Sequence, residues 1–142
     1  MKKLLPKSLN NPQGFTLVEL MVVISIIAIL SVIGVVLFTG AQRSSRDARR
    51  KGDMDAISNA LEVDFASNNR TQYQALATTM FAGGNVPLDP TNAGAYVYTI
   101  SALPSATYTV CANLEVGNGG NSSNATGTTA ANGAFYCRKN QQ

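Results

Sequence analysis

Residues 15–41 read FTLVELMVVISIIAILSVIGVVLFTGA, and this run decides the fold. It is long enough to cross a bilayer as a helix, for which about 20 apolar residues are needed. Its apolar side chains go all round the helix, the pattern of a segment facing lipid or buried in a bundle. No charge occurs from Leu20 to Gln42, and the run has one ionised side chain, Glu19, near its start. A carboxylate in such a helix is expensive, about 2.5–3.5 kcal/mol on insertion scales for Asp at the helix centre. It needs either the headgroup region or a partner.

Upstream, residues 1–14 are short, basic and polar and end Asn-Pro-Gln-Gly. They hold no apolar core of their own, so this is not an ordinary secretory signal peptide. A cut between Gly14 and Phe15 would place a new α-amine four residues from Glu19. Within one helix that pair is strained; between neighbouring helices each copy offers one amine and one carboxylate. The rival expectation is a single-pass anchor with Glu19 among the headgroups.

Downstream, no proline interrupts the chain between Pro12 and Pro87. Met54, Ile57, Leu61 and Phe65 recur at helical spacing, so one helix is expected from about Phe15 to Ala66, with Ser67-Asn68-Asn69 as its stop. Tyr73, Leu76 and Met80 suggest a short second helix. Gly83 to Gly94, with Pro87 and Pro90, reads as a loop. Strand patterns follow at Ala95–Ser101, Thr107–Leu114 and Ala134–Arg138, with Tyr108, Val110, Ala112 and Leu114 on one face. Gly117–Gly133 contains only Gly, Asn, Ser, Thr and Ala and is expected to be a mobile surface loop. The fold class is therefore α+β: a long N-terminal helix packed on a small C-terminal antiparallel sheet. Its divisions are a leader at 1–14, an apolar helix at 15–41 and a head at 42–142.

Composition narrows the chemistry. The 142 residues include no His and no Trp, which removes Ser-His and Cys-His catalysis and the common zinc sites. The net charge of +3 misleads. Losing Lys2, Lys3 and Lys7 takes three from the 11 bases and leaves eight, equal to the 8 acids. Overall charge thus gives no reason to expect nucleic acid as a partner. Cys111 and Cys137 are too few for a structural zinc site, and a disulfide suits an exported head. Two paired strands would bring them onto one face and close a loop over Gly117–Gly133.

The stretch Gly14-Phe15-Thr16-Leu17-Val18-Glu19-Leu20, with the MVVISIIAILSVI that follows, resembles the processing site and helix of type IV prepilins and pseudopilins. The resemblance covers about 25 residues. It implies cleavage after Gly14 by a prepilin peptidase, N-methylation of Phe15, and a role for Glu19 in assembly. It also implies a structural subunit and not an enzyme. The subunit would wait in the cytoplasmic membrane with its N-terminus inside, then join an extracellular pilus or a cell-envelope pseudopilus. Its partners would be itself, the peptidase, the assembly machinery and, before assembly, membrane lipid. Residues 46–66 and Pro87-x-Asp89-Pro90 are similar to the major pseudopilin of type II secretion, whereas a C-terminal cysteine pair is more like a type IV pilus subunit.

Three weaker patterns remain. Arg43, Arg46, Arg49, Arg50 and Lys51 form a basic cluster, open to DNA or lipid phosphate as in a competence-type pilin. It is also open to local pairing along Arg43, Asp47, Lys51 and Asp55, with Arg49 to Asp53. A third reading matches the cluster to the acids of 53–64 on a neighbouring copy. Asp89 and Asn92 are candidate calcium ligands by resemblance to the pseudopilin head, against ordinary turn chemistry; no other cofactor is expected. Asn69, Asn121 and Asn124 match the glycan acceptor pattern.

Overall fold

A computed structural model describes residues 14–142. Residues 1–13, and so the leader except Gly14, lie outside the described part. The chain divides into two compact units, the first ending at Phe38 and the second comprising Thr39–Gln142. One helix, α1, Leu17–Ser67, contributes to both.

In the first unit α1 is long and apolar enough to cross a membrane, and the side chains from Phe15 to Phe38 are all exposed. Its two serines are satisfied locally. Ser25 Oγ donates to the Val22 carbonyl and Ser31 Oγ to the Ile27 carbonyl, each at 2.7 Å. A hydroxyl bonded back to its own helix leaves no orphaned polar group in an apolar setting.

In the second unit α1 acquires one buried stripe. Met54, Ile57 and Leu61 are buried with Tyr73, Tyr108, Val110 and Ala112, and Phe65, Leu76, Phe81 and Tyr136 pack against them. Each large aliphatic side chain so buried contributes about 1.5–3 kcal/mol. The helix ends as the sequence suggests. Asn69 takes φ +46°, Arg70 N–H donates to the Phe65 carbonyl at 3.1 Å and Asn69 N–H to that of Ala66 at 3.4 Å. This is a Schellman stop, in which the left-handed residue lets the last carbonyls find donors.

Five strands follow: β1 Thr99–Ile100, β2 Thr109–Asn113, β3 Gly120–Ser122, β4 Thr129–Gly133 and β5 Phe135–Lys139. They form one antiparallel sheet in the order β1-β2-β5-β3-β4. The α+β expectation holds. Tyr108, Val110, Ala112 and Leu114 are all buried, as their alternation requires.

Three local expectations are corrected. The first strand is only Thr99–Ile100, and the stretch from Tyr73 to Met80 is not a helix. Its regular part is a 3-10 turn at Thr78–Met80, while Tyr73 bridges Ser105 through mutual backbone hydrogen bonds of 2.8 and 3.1 Å. The largest correction is Gly117–Gly133, which supplies β3 and β4 instead of a loose loop. Its small residues permit close backbone contact. A Cβ at Gly120 would collide with the Phe135 carbonyl, and one at Gly133 with the Ser122 carbonyl. Side-chain amides and hydroxyls do the rest: Asn121 brackets Cys137, accepting from its N–H at 2.7 Å and donating to its carbonyl at 2.9 Å. Hydrogen bonding here replaces apolar burial, so the stretch carries no hydrophobic pattern.

Candidate functional site: the N-terminal junction and the head's charge network

Gly14 and Phe15 precede α1 in non-helical backbone, and Phe15 is 90% exposed. Thr16 is the N-cap. Its carbonyl accepts from Leu20 N–H at 3.2 Å, the first helical bond. Thr16 Oγ1 accepts from Glu19 N–H at 3.2 Å. In return Glu19 Oε2 accepts from Thr16 N–H and from Thr16 Oγ1–H, both at 2.9 Å. This is a capping box, two helix-end donors satisfied reciprocally. Gly14, Phe15 and Glu19 therefore meet at one place, as their spacing suggests, with Thr16 joining them. The Thr-x-x-Glu spacing ahead of an apolar run was the sequence signal for Thr16.

The basic cluster of the head is engaged in charge pairing, one of the readings its sequence leaves open, with partners beyond the helix as well as on it. Arg50 is 0% exposed. Its guanidinium donates to Asp89 at 2.6 and 3.1 Å, to Asp47 at 2.8 Å, to Glu115 at 2.8 Å and to Thr91 Oγ1 at 3.1 Å. It also lies 4.7 Å from the Tyr96 ring centroid. Burial alone would weaken the charged form, but these carboxylates raise the Arg50 pKa instead. Arg46 adds two bonds to Glu115, at 2.7 and 2.5 Å. Hydrogen bonds from Arg46 above all, with Arg50, pull the Glu115 carboxyl down to about 2. Asp47 also accepts from Glu115 N–H and Val116 N–H at 2.9 and 2.8 Å.

In place of the i,i+4 pairs Arg43–Asp47 and Lys51–Asp55, Asp47 pairs with Arg50 at i,i+3 and accepts from the Glu115 and Val116 amides, and Asp55 takes a partner from β5. Asp55 pairs with Arg138 at 2.6 Å, and Lys51 sits 5.7 Å from the Tyr136 ring centroid. Arg49–Asp53 does form, at 3.9 Å with Arg49 66% exposed. The acids of 53–64 are engaged within the subunit. Tyr98 donates to Asp53 at 2.6 Å and Tyr136 to Asp55 at 3.3 Å. Tyr73 and Tyr108 both donate to Glu62, at 3.1 and 3.0 Å, and Arg70 pairs with Asp64 at 2.9 Å.

Asp89, a candidate calcium ligand, has both oxygens occupied: Arg50 reaches each, and Oδ1 also accepts from Thr91 and Asn92 amides at 2.7 and 3.2 Å. Burial would raise its pKa, but these donors hold it below the usual carboxylate range. Asn92 has φ +45° and supplies turn geometry. Among the described residues no group of three His, Cys, Asp or Glu is arranged to hold a metal. Of the glycan-pattern residues, Asn121 is spent on Cys137. Asn124 is spent on Thr126 and Thr128, its Oδ1 accepting from both amides and its Nδ2 donating to Thr128 Oγ1.

Cys111 and Cys137 form the expected disulfide. They stand directly opposite in the β2–β5 register, with Cα atoms 4.1 Å apart. Gly127, from the β3–β4 turn, lies against Thr109 and Lys139 on that face.

The chain carries the prokaryotic N-terminal methylation motif, matched over residues 9–37. That motif is the signature of prepilins and pseudopilins, and it supports a type IV pilin-like or pseudopilin-like protein. No curated protein and no solved structure matches the chain.

Proposed function

We propose that this chain is the precursor of a filament subunit, of a type IV pilus or a type II secretion pseudopilus. A prepilin peptidase cuts between Gly14 and Phe15, and Phe15 becomes the N-methylated first residue. Before assembly the subunit rests in the cytoplasmic membrane with its leader inside and its head exported. Subunits then join through the apolar part of α1, where Glu19 of one copy neutralises the new amine of another. The head is structural and carries no catalytic role.

The observation that carries this proposal is a coincidence of features. The matched motif covers 9–37, and Phe15 stands exposed just ahead of a capped helix. The side chains that follow to Phe38 are exposed and, apart from Thr16, Glu19, Ser25 and Ser31, apolar. An exposed apolar surface of that size calls for lipid or another copy.

Purified filaments decide the matter by mass spectrometry of the N-terminal peptide. The expected peptide begins at N-methylated Phe15. An intact leader in assembled protein overturns the proposal, and a processed chain absent from filaments makes it a membrane-anchored protein instead. Deleting the gene then separates pilus from pseudopilus, by loss of surface filaments or of protein secretion.

A further inference from the structure

The fold uses the bases of the 43–51 cluster unequally. Arg46 and Arg50 are spent on carboxylates, and Lys51 lies near the Tyr136 ring. Arg43 is exposed, and its side chain has no hydrogen-bond or ion-pair partner among the described residues. Arg49 is 66% exposed and meets Asp53 only at 3.9 Å. The acids are all engaged. The chain has 8, and every one except Glu19 lies in the head. Each of these holds a hydrogen bond or ion pair within the head. A second copy therefore offers no unengaged acidic side chain from its head to meet Arg43. We infer that Arg43, assisted by Arg49, binds the phosphate of anionic lipid headgroups while the subunit rests in the membrane. This inference rests on the membrane stage of the reading given above.

Spacing along α1 favours lipid. Arg43 follows Ala41, the last residue of the apolar run, by two positions, which is about 3 Å at the helical rise. The headgroup layer of one leaflet is about 5–7 Å deep. With the apolar run in hydrocarbon, Arg43 falls inside that layer. Arg49 stands about 12 Å along, beyond the layer but within a Debye length of about 8 Å from it. A planar guanidinium matches phosphate oxygens two at a time. Duplex DNA is held by many phosphate contacts at once, and two outward bases are few for that.

The test reconstitutes the full-length chain in phosphatidylcholine vesicles. Spin-labelled phosphatidylglycerol and spin-labelled phosphatidylcholine are added in turn, and electron spin resonance reads the share of each that the protein immobilises. The wild type should prefer phosphatidylglycerol about fivefold or more, the scale of one base at an anionic surface. Lys2, Lys3 and Lys7 are present in every variant, so the differences between variants carry the test. Arg43→Gln should cut the preference about fivefold, Arg49→Gln should cut it less, and Arg43→Lys should keep most of it. Lys139→Gln controls for net charge. Lys139 is also exposed, but its neighbour Asn140 donates to the Tyr108 carbonyl and the Tyr108 hydroxyl meets Ser58, about 25 Å along α1 from Ala41. Its loss should leave the preference unchanged. A wild type without preference, an unchanged preference in Arg43→Gln, or an equal loss in Lys139→Gln overturns the inference. Duplex DNA bound to the vesicles through Arg43, with no lipid preference, would replace lipid by nucleic acid. Flotation separates the two levels. A chain that does not float with the vesicles fails the membrane reading itself, and one that floats without preference removes only the lipid contact.

Discussion

Arg50 is the residue on which the head's charge network turns, because it joins three carboxylates from separate parts of the chain. Asp47 is on α1, Asp89 on the Pro87–Pro90 turn, and Glu115 just past β2. A guanidinium offers five donors in a planar fork, and Arg50 uses them on Asp47, Asp89, Glu115 and Thr91. Replacing it by Met keeps the bulk but leaves Asp47 and Asp89 without their cation, while Glu115 keeps Arg46. Breaking a buried pair in that way costs about 3–5 kcal/mol, so Arg50→Met should lower the denaturant midpoint of the solubilised subunit sharply. Arg50→Lys should recover only part, since an ammonium cannot reach both oxygens of Asp89 and also Asp47. Equal stability for Met and Arg would show that the network contributes nothing net. Glu115 supplies a pH test. Its folded pKa is depressed from 4.5 to about 2. The stability it contributes is therefore complete above pH 4.5 and is lost as pH falls through that value toward 2. The Glu115→Gln subunit should show a shallower loss of stability over this window than the wild type, followed by circular dichroism at stepwise lower pH.

At the scale of elements, the legible parts were those held by apolar burial. The Met54, Ile57, Leu61 stripe and the Tyr108 to Leu114 alternation each announce a face that must leave water. The Gly117–Gly133 strands were not legible, because they are held by Asn121, Ser122 and Asn124 hydrogen bonds and by contacts only glycine allows at Gly120 and Gly133. Nor were all the partners of the acids: Asp47 takes Arg50 at i,i+3 on its own helix together with the Glu115 and Val116 amides, and Asp55 takes Arg138 from β5 in place of a base at helical spacing. At the N-terminus Gly14, Phe15 and Glu19 were legible as a motif, whereas the Thr16 share needed the capping geometry. The disulfide ties these element-scale features together, since it joins β2 to β5 and the β3–β4 turn lies over it. In the chain-entropy model a loop of this size is worth about 3–4 kcal/mol. Cys111→Ser should insert and be cleaved like the wild type, because those steps belong to the N-terminal segment. It should instead free β5 and lower the subunit level through proteolysis, visible as a new protease-sensitive site beyond Asn113. An unchanged melting temperature for Cys111→Ser would remove the disulfide from the account.

For the whole molecule the proposed filament role turns on what Glu19 would do where two copies meet. In the single chain Glu19 is satisfied through Thr16, so the charge is tolerated without a second copy. In the proposed filament, assembly would bring an amine to Glu19, turning a costly residue into the specific contact between subunits. Glu19→Ala removes the charge and with it the insertion penalty, so membrane insertion should be at least as efficient as in the wild type. It also removes the return bonds of the capping box, a loss of about 1 kcal/mol at the helix start. Cleavage lies two residues before the N-cap in non-helical backbone, so it should survive that local loss. Assembly should not, because each neighbouring amine would then be buried without its counter-ion, and an uncompensated buried charge is strongly unfavourable. The expected phenotype is a processed subunit that accumulates in the membrane with few filaments, read by comparing membrane and sheared fractions on one immunoblot. A normal sheared fraction from Glu19→Ala would refute amine pairing. An unprocessed membrane pool would shift the role of Glu19 from assembly to recognition by the peptidase.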